Sequence, residues 1–475
     1  MSFTTSIFLF VFFPLWIFGF FVLERVVQKT LLTNLYLLGA SIFFYAFGAG
    51  GKTALALCLC CLLTKVAGDL LSKGRSRRAL MLFVLLALSP LFVFKYFNFL
   101  LDTIHHFIPT GFHTEAWIAP LGISFITFSV VSYLVDVYRG EPAGSWISGS
   151  LYLLFFPKLI SGPIVPWKEF RQKWEQRRTS VDLTEQGVRR MIAGFAKKTI
   201  LADSLGAVIA DITARVPAGV DSPTIFLLGL CMTLQIYLDF SGYSDIALGL
   251  SNMLGVQWEE NFHYPYLSQS VSEFWRRWHI SLGSWFRNYV YIPLGGNRRG
   301  NVYANLFIVF ALTGLWHGAR WNMVAWGCVN GLLVMMERFF QKRREKKTRG
   351  RASRVMHWAA TMVFVYFSWM LFMAPSFGDA LHYWHILFFS PTPASQINFS
   401  WAYFLTPRVL CFLLVGAVGS VLPALVPLRW KESFRSFRQG LAGYWLGALV
   451  SLLLMVLAIL FMVNSTYSPF LYFQY

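Results

Sequence analysis

The chain has 475 residues, 56% of them hydrophobic and 18% aromatic but only 13% charged, with a mean hydropathy of +0.54. Soluble domains carry about 25% charged residues, so this composition excludes a soluble fold and predicts an all-α polytopic membrane protein. The formal net charge of +19 does not argue for nucleic acid, because the cations sit in short blocks between apolar runs and no groove-reading motif occurs.

Apolar runs of the length that crosses a bilayer, about 20 residues, recur along the sequence. They predict about eleven membrane segments, at 6–23, 31–48, 54–71, 79–100, 118–136, 224–238, 303–316, 323–340, 356–374, 402–426 and 443–463. The first run has no positively charged leader. Glu24 and Arg25 follow it instead of a small-residue cleavage site, so it reads as a membrane helix and not as a signal peptide. Basic blocks at Lys73–Arg78, Lys168–Arg178, Arg189–Lys198, Arg298–Arg299, Arg338–Arg354 and Arg429–Arg438 alternate with 101–116, 217–223, 375–401 and 464–475, which contain no Lys or Arg. This positive-inside pattern predicts cytoplasmic basic blocks and extracytoplasmic N- and C-termini. Anionic lipid headgroups and an anionic cytoplasmic cofactor are the partners it suggests. The whole chain, 1–475, reads as one integral domain: spanning helices over 1–116, a core over 117–340, and C-terminal helices with a tail over 341–475. Cys58, Cys60, Cys61, Cys231, Cys328 and Cys411 lie in apolar segments and read as small buried hydrophobes.

From about 117 onward, polar residues, Gly and Pro enter the apolar runs. In "LYLLFFPKLISGPIV" (151–165), Pro157, Lys158, Gly162 and Pro163 predict a re-entrant segment. Irregular backbone at membrane depth is tolerated only where protein or a water-filled cavity covers it. Residues 183–200 predict an amphipathic cytoplasmic helix. In "SEFWRRWHISLGSWFRNYVYIPLGG" (272–296), Trp275, Trp278, Leu282, Trp285, Phe286 and Tyr289 share one helical face, with Arg276, His279, Gly283 and Arg287 in a polar stripe beside it. That pattern predicts a helix lying in the membrane interface, ended by Pro293 and Gly295–Gly296. About seventeen helical residues beyond Arg298–Arg299, at about 1.5 Å each, carry His317 roughly 25 Å into the membrane.

Ionisable residues at membrane depth are functional candidates by default; here they are Lys158, Asp239, Asp245, His279, His317 and Arg320. Asp239 and Asp245 fall on different helical faces. For them a structural reading, pairing with Lys158 or a buried arginine, competes with a functional one. No G-x-S-x-G, P-loop or H-E-x-x-H motif occurs, and the histidines do not cluster as metal ligands. A histidine would therefore act as a base or hydrogen-bond donor: a buried neutral imidazole can take a proton from an acceptor hydroxyl attacking an activated acyl group. For His317 the alternative is a structural hydrogen bond to a neighbouring helix.

Several long stretches occur together and in order: "APLGISFITFSVVSYLVDVYRG" (119–140), "FPKLISGPIV" (156–165), "QIYLDFSGYSDIALGL" (235–250), "EFWRRWHISLGSWFRNYVYIPLGGNRRG" (273–300), "LTGLWHGARWN" (312–322) and "SPFLYFQY" (468–475). Together with "FLFVFFPLW" (8–16), they resemble the membrane-bound O-acyltransferases, in the bacterial alginate O-acetylation branch. The resemblance implies helices around a central tunnel, with His317 of the W-H-G motif and His279 of the W-R-R-W-H motif as catalytic residues. It implies acetyl-CoA as donor substrate, no metal, a bacterial inner-membrane location, and acyl export toward an extracytoplasmic polysaccharide. A periplasmic esterase-like transferase would be the partner protein. Candidates for donor binding or tunnel lining are Trp316, Arg276, Arg277, Arg298, Asn288, Asn322, Lys158, Asp239 and Tyr243. Three positions depart from similar members: Asn288 stands for Asp, Asn330 for His, and Arg320 for a small residue. The tail "FLYFQY" makes Tyr472 a candidate acyl relay, against a reading as an aromatic interface belt. The rival functions are D-alanyl or other acyl transfer from a carrier-protein thioester, and a transporter without acyl chemistry, whose pathway Lys158, Asp239 and Asp245 would mark.

Overall fold

The computed structural model describes residues 1–108, 119–343, 350–389 and 393–464. Tyr472 lies outside them. Among the described residues, nine helices are long and apolar enough to cross a membrane. Two shorter apolar helices, Ile123–Tyr138 and Val302–His317, have 16 residues each. Each of the eleven predicted segments falls on one of these helices. The largest difference concerns 224–238, which is part of a 32-residue helix, Ser222–Met253. The apolar run ends at Asp239, yet the helix continues because its carboxylates find partners inside the protein.

The chain divides into two compact units, 1–191 with 246–259, and 192–245 with 260–475. In the first unit an aromatic core forms where Phe156 meets Phe44 at 4.9 Å and Trp16 at 5.0 Å between ring centroids. Residues 151–165 are buried throughout, so protein covers their irregular backbone. Only Trp146–Leu154 and the single turn Phe156–Leu159 are helical there. Lys158 Nζ donates to Ser129 Oγ at 3.0 Å and lies 4.1 Å from the centroid of the Tyr152 ring.

The second unit holds both histidines, and the helices that bear on them are α1 (Ser222–Met253, in this unit as far as Asp245), α2 (Val271–Arg277), α3 (Ile280–Phe286), α4 (Val302–His317), α5 (Trp321–Arg343) and α6 (Arg351–Met373). Helices α4 and α5 form a hairpin whose backbones nearly touch. A Cβ on Gly314 would collide with the Met323 carbonyl and stand 2.9 Å from Gly327 Cα, so only glycine permits this approach.

Several expectations are corrected here. The segment 272–296 is not one helix: it breaks at Trp278–His279 into α2 and α3. Its tryptophan face does not lie against lipid. Trp278, Leu282, Trp285 and Phe286 are buried in protein, and Trp278 packs on Trp369 at 4.6 Å. Hydropathy cannot distinguish these two apolar surroundings. The helix expected over 183–200 runs from Val181 to Ala196. Beyond it Lys198, the last cation of a block expected to face the cytoplasm, is fully buried, 2.6 Å from both Asp203 and Asp239. Lys197 pairs with Asp245 at 2.6 Å. The aspartates of α1 therefore pair with two adjacent lysines, Asp239 with Lys198 and Asp245 with Lys197, which sequence reasoning did not name as partners. Of the cysteines, only Cys61 and Cys231 are buried, and Cys411 is exposed.

Candidate active site

Helix α2 starts where the sequence supplies a cap. Ser270 Oγ accepts from the Glu273 amide at 3.1 Å, and Glu273 reaches back to the Gln269 amide at 2.9 Å, a variant of the capping box. Glu337 on α5 accepts from the Val271 and Ser272 amides at 2.7 and 2.8 Å, which fixes α2 to α5. Trp275 donates its indole N–H to Asn330 Oδ1 at 3.1 Å, and Asn330 Nδ2 donates to Ser368 Oγ at 3.2 Å and the Trp326 carbonyl at 2.8 Å. Asn330, one of the departures from the pattern of similar members, thus ties α2, α5 and α6 together.

His279 caps α3 from a left-handed backbone conformation, φ 46° and ψ 54°. For a non-glycine residue this costs on the order of 1–2 kcal/mol, and the surroundings must hold it. Asn261 does so. Its backbone carbonyl accepts from the Ile280 amide at 2.9 Å. Its Oδ1 accepts from the Ser281 amide at 3.2 Å and from Ser281 Oγ at 2.9 Å, and contacts His279 Nδ1 at 3.1 Å. Asn261 Nδ2 donates to Ser244 Oγ on α1 at 3.1 Å. The Ser281 amide can only donate, so the Asn261 carboxamide orientation is fixed. Oδ1 can only accept, so the His279 proton sits on Nδ1 and the lone pair on Nε2. Burial pushes the His279 imidazole down to about 3, because removing an imidazolium from water disfavours the charged form. It is neutral at physiological pH. Phe240 stands edge-on to the ring at 4.6 Å.

His279 lies on the wall of a cavity of about 420 Å³. The cavity is walled mainly by apolar side chains of α2, α3 and α4, with Arg276, Arg287, Arg338, Tyr291 and Asn297 also bordering it. All four members of the polar stripe, Arg276, His279, Gly283 and Arg287, line it. Among the described residues neither Arg276 nor Arg287 pairs with a carboxylate. Arg338 donates to Asn297 Oδ1 at 3.0 Å, which also accepts from Tyr291 at 2.7 Å.

His317 ends α4, buried, and does not border this cavity. Its ring meets Trp326 edge-on at 5.4 Å and Phe372 at 5.1 Å. Trp316 contacts both histidines: its ring is 4.7 Å from His317 and 6.4 Å from His279. The two histidines thus belong to one cluster.

The other candidates are more dispersed. Arg277 is held by Glu273 at 2.7 Å. Arg298 is exposed, Asn288 is half-buried, and none of these three lines the cavity. Asn322 is buried and donates to the Ala374 carbonyl at 2.9 Å. Arg320 donates to the Pro375 carbonyl at 3.3 Å. Tyr243 and Asp239 are buried on α1. Lys158 belongs to the first unit. Asn261 was missed by sequence reasoning, as were Arg287 and Arg338 as anion-binding candidates. Arg287 stood in the polar stripe, and Arg338 opened a basic block. Asn261 carried no signal, since its role depends on a fold that returns the chain 18 residues later. Among the described residues, no three or more His, Cys, Asp or Glu side chains gather as metal ligands.

Comparison with known proteins decides the family. The profile of the membrane-bound O-acyltransferase family matches residues 145–378. A protein of Pseudomonas putida named a probable alginate O-acetylase is 35% identical over the full length of both chains. This chain belongs to the membrane-bound O-acyltransferase family. It is an acyltransferase and a multi-pass membrane protein. Within the family it is also similar to a peptidoglycan O-acetyltransferase of Helicobacter pylori, 30% identical over 80% of this chain and 78% of the relative. A teichoic acid D-alanyltransferase of Bacillus subtilis is 28% identical over 64% of this chain and 78% of the relative. The profile match contains both histidines and every residue lining the cavity.

Proposed function

We propose that this acyltransferase takes acetyl groups from cytoplasmic acetyl-CoA and delivers them across the bacterial inner membrane for O-acetylation of an exported polysaccharide. The observation that carries this reading is the cavity with His279 on its wall and, beside it, the guanidinium groups of Arg276 and Arg287, which pair with no carboxylate among the described residues. An apolar slot with cationic residues suits a thioester arm that ends in phosphates. The full-length likeness to a probable alginate O-acetylase supports acetyl as the transferred group and a polysaccharide as its destination.

In the proposed reaction the imidazole of His317 removes the proton from an acceptor hydroxyl. The hydroxyl oxygen attacks the thioester carbonyl, and a tetrahedral oxyanion forms. Its collapse breaks the C–S bond, and the departing thiolate takes the proton from the His317 imidazolium. The acceptor oxygen gains an acyl group and loses a proton, and the sulfur gains that proton. His279, locked by Asn261, holds the thioester end of the donor against the cluster. Trp316 and its aromatic neighbours exclude water, which would otherwise compete as acceptor. A periplasmic esterase-like protein receives the exported group.

Purified protein incubated with radiolabelled acetyl-CoA tests the reading. Transfer of label or its release as acetate, with one free thiol per acetyl, is expected. An inert acetyl-CoA together with an active acyl-carrier thioester would replace this reading with the carrier-protein one.

A further inference from the structure

Gly283 sits in the middle of α3, one turn beyond His279 and one turn before Arg287. Glycine is the poorest helix former after proline, so its presence there calls for a reason. At two other helical glycines of this unit the reason is contact: Gly314 and Gly327 admit a neighbouring backbone. At Gly283 there is no such contact. A Cβ built there meets nothing within 4 Å, its φ is not in the left-handed region, and its amide makes the ordinary helical bond to the His279 carbonyl at 3.1 Å. Neither packing nor backbone conformation requires glycine. What Gly283 does border is the cavity, between Arg287 and His279, which stand about 12 Å apart along a helix rising about 1.5 Å per residue.

We infer that Gly283 is the clearance point of the donor channel, over which the thioester arm passes between an anionic end held near Arg287 and a reacting end at His279. A side chain here would fill the channel without disturbing the fold. The position therefore admits donors that carry a long arm, and is specificity-determining without being catalytic. The inference rests on the acyl-thioester reading above.

The test compares wild type, Gly283→Ala and Gly283→Leu, with acetyl-CoA and with the truncated thioester S-acetyl-N-acetylcysteamine as donors, reading release of free thiol. The short donor reaches His279 without spanning the channel. Gly283→Leu is expected to raise KM for acetyl-CoA at least tenfold, while its kcat/KM for the short donor stays within twofold of wild type. Gly283→Ala, which only adds a methyl group in open space to a helix, is expected to melt no lower than wild type and to show an intermediate rise in KM. Unchanged KM for acetyl-CoA in both variants overturns the inference. So does an equal loss with both donors in variants that melt like wild type, because the position would then act on the chemistry and not on passage. If wild-type protein releases thiol from neither donor, the acyl-thioester reading itself fails, and the inference with it.

Discussion

Replacing Asn261 with alanine probes how the site is held. The change strips the acceptor from the Ser281 amide, from Ser281 Oγ and from His279 Nδ1, and the donor from Ser244 Oγ. Leaving a buried donor unsatisfied costs about 1–3 kcal/mol. With two obligate donors affected, and the half-buried Ser281 partly recoverable by water, the expected loss of stability is about 2–4 kcal/mol. The larger effect is on activity. His279 is kept in a left-handed conformation that costs on the order of 1–2 kcal/mol, and without Asn261 the ring is free to leave it. A displacement of about 1 Å at a reacting centre reduces turnover about 100-fold. Asn261→Asp separates geometry from packing. It preserves the acceptor at Nδ1 but sets a carboxylate beside the ring, which favours the imidazolium and raises the His279 pKa from about 3. Wild-type His279 stays neutral across the working range. The Asp variant therefore loses neutral His279 imidazole as pH falls, and its thiol-release profile gains an additional acid limb from His279 relative to wild type. Thiol release from acetyl-CoA, measured from pH 5 to 8 on detergent-solubilised protein alongside thermal melting, reads both effects. Wild-type turnover in Asn261→Ala would refute the positioning role, whatever happened to stability.

Arg276→Gln and Arg287→Gln are each expected to raise KM for acetyl-CoA about 10- to 100-fold, from the loss of a charge-assisted hydrogen bond worth about 1.5–3 kcal/mol, with little change in kcat. Steady-state kinetics at low and high salt would check this, since wild-type KM should also rise with salt. Lys198→Met leaves the buried carboxylates of Asp203 and Asp239 facing each other without their cation, and is expected to destabilise the protein by about 3–5 kcal/mol. Adding Asp203→Asn and Asp239→Asn should recover most of the lost melting temperature. Failure of the triple variant to recover it would count against the ion triad as the cause.

The sequence disclosed the fold's outline because apolar length is a strong and local signal. Runs such as 31–48 and 443–463 could be placed almost to the residue. The polar stripe of Arg276, His279, Gly283 and Arg287 was also legible, since helical spacing brings it to one side even though the helix breaks within it. The break itself was not legible. Nothing local dictates a left-handed His279; contacts with Asn261, 18 residues earlier, hold it there. Trp278 and Trp285 read as lipid-facing because hydropathy records how apolar a side chain is and not whether lipid or protein surrounds it. Lys198 reads as solvated for the converse reason. A cation in a basic block looks solvated until the fold brings two carboxylates to it. His317 could be singled out by its place in an apolar run and by the motif around it. Its aromatic surroundings, Trp326 and Phe372, come from parts of the chain that no spacing rule connects to it.

The most direct test of the central claim is acetyl transfer by His317→Ala protein reconstituted in lipid vesicles with radiolabelled acetyl-CoA. His317 packs against the rings of Trp316, Trp326 and Phe372; the variant is expected to insert into the vesicles while transfer falls to background. Transfer at the wild-type rate by a correctly inserted His317→Ala protein would contradict the account.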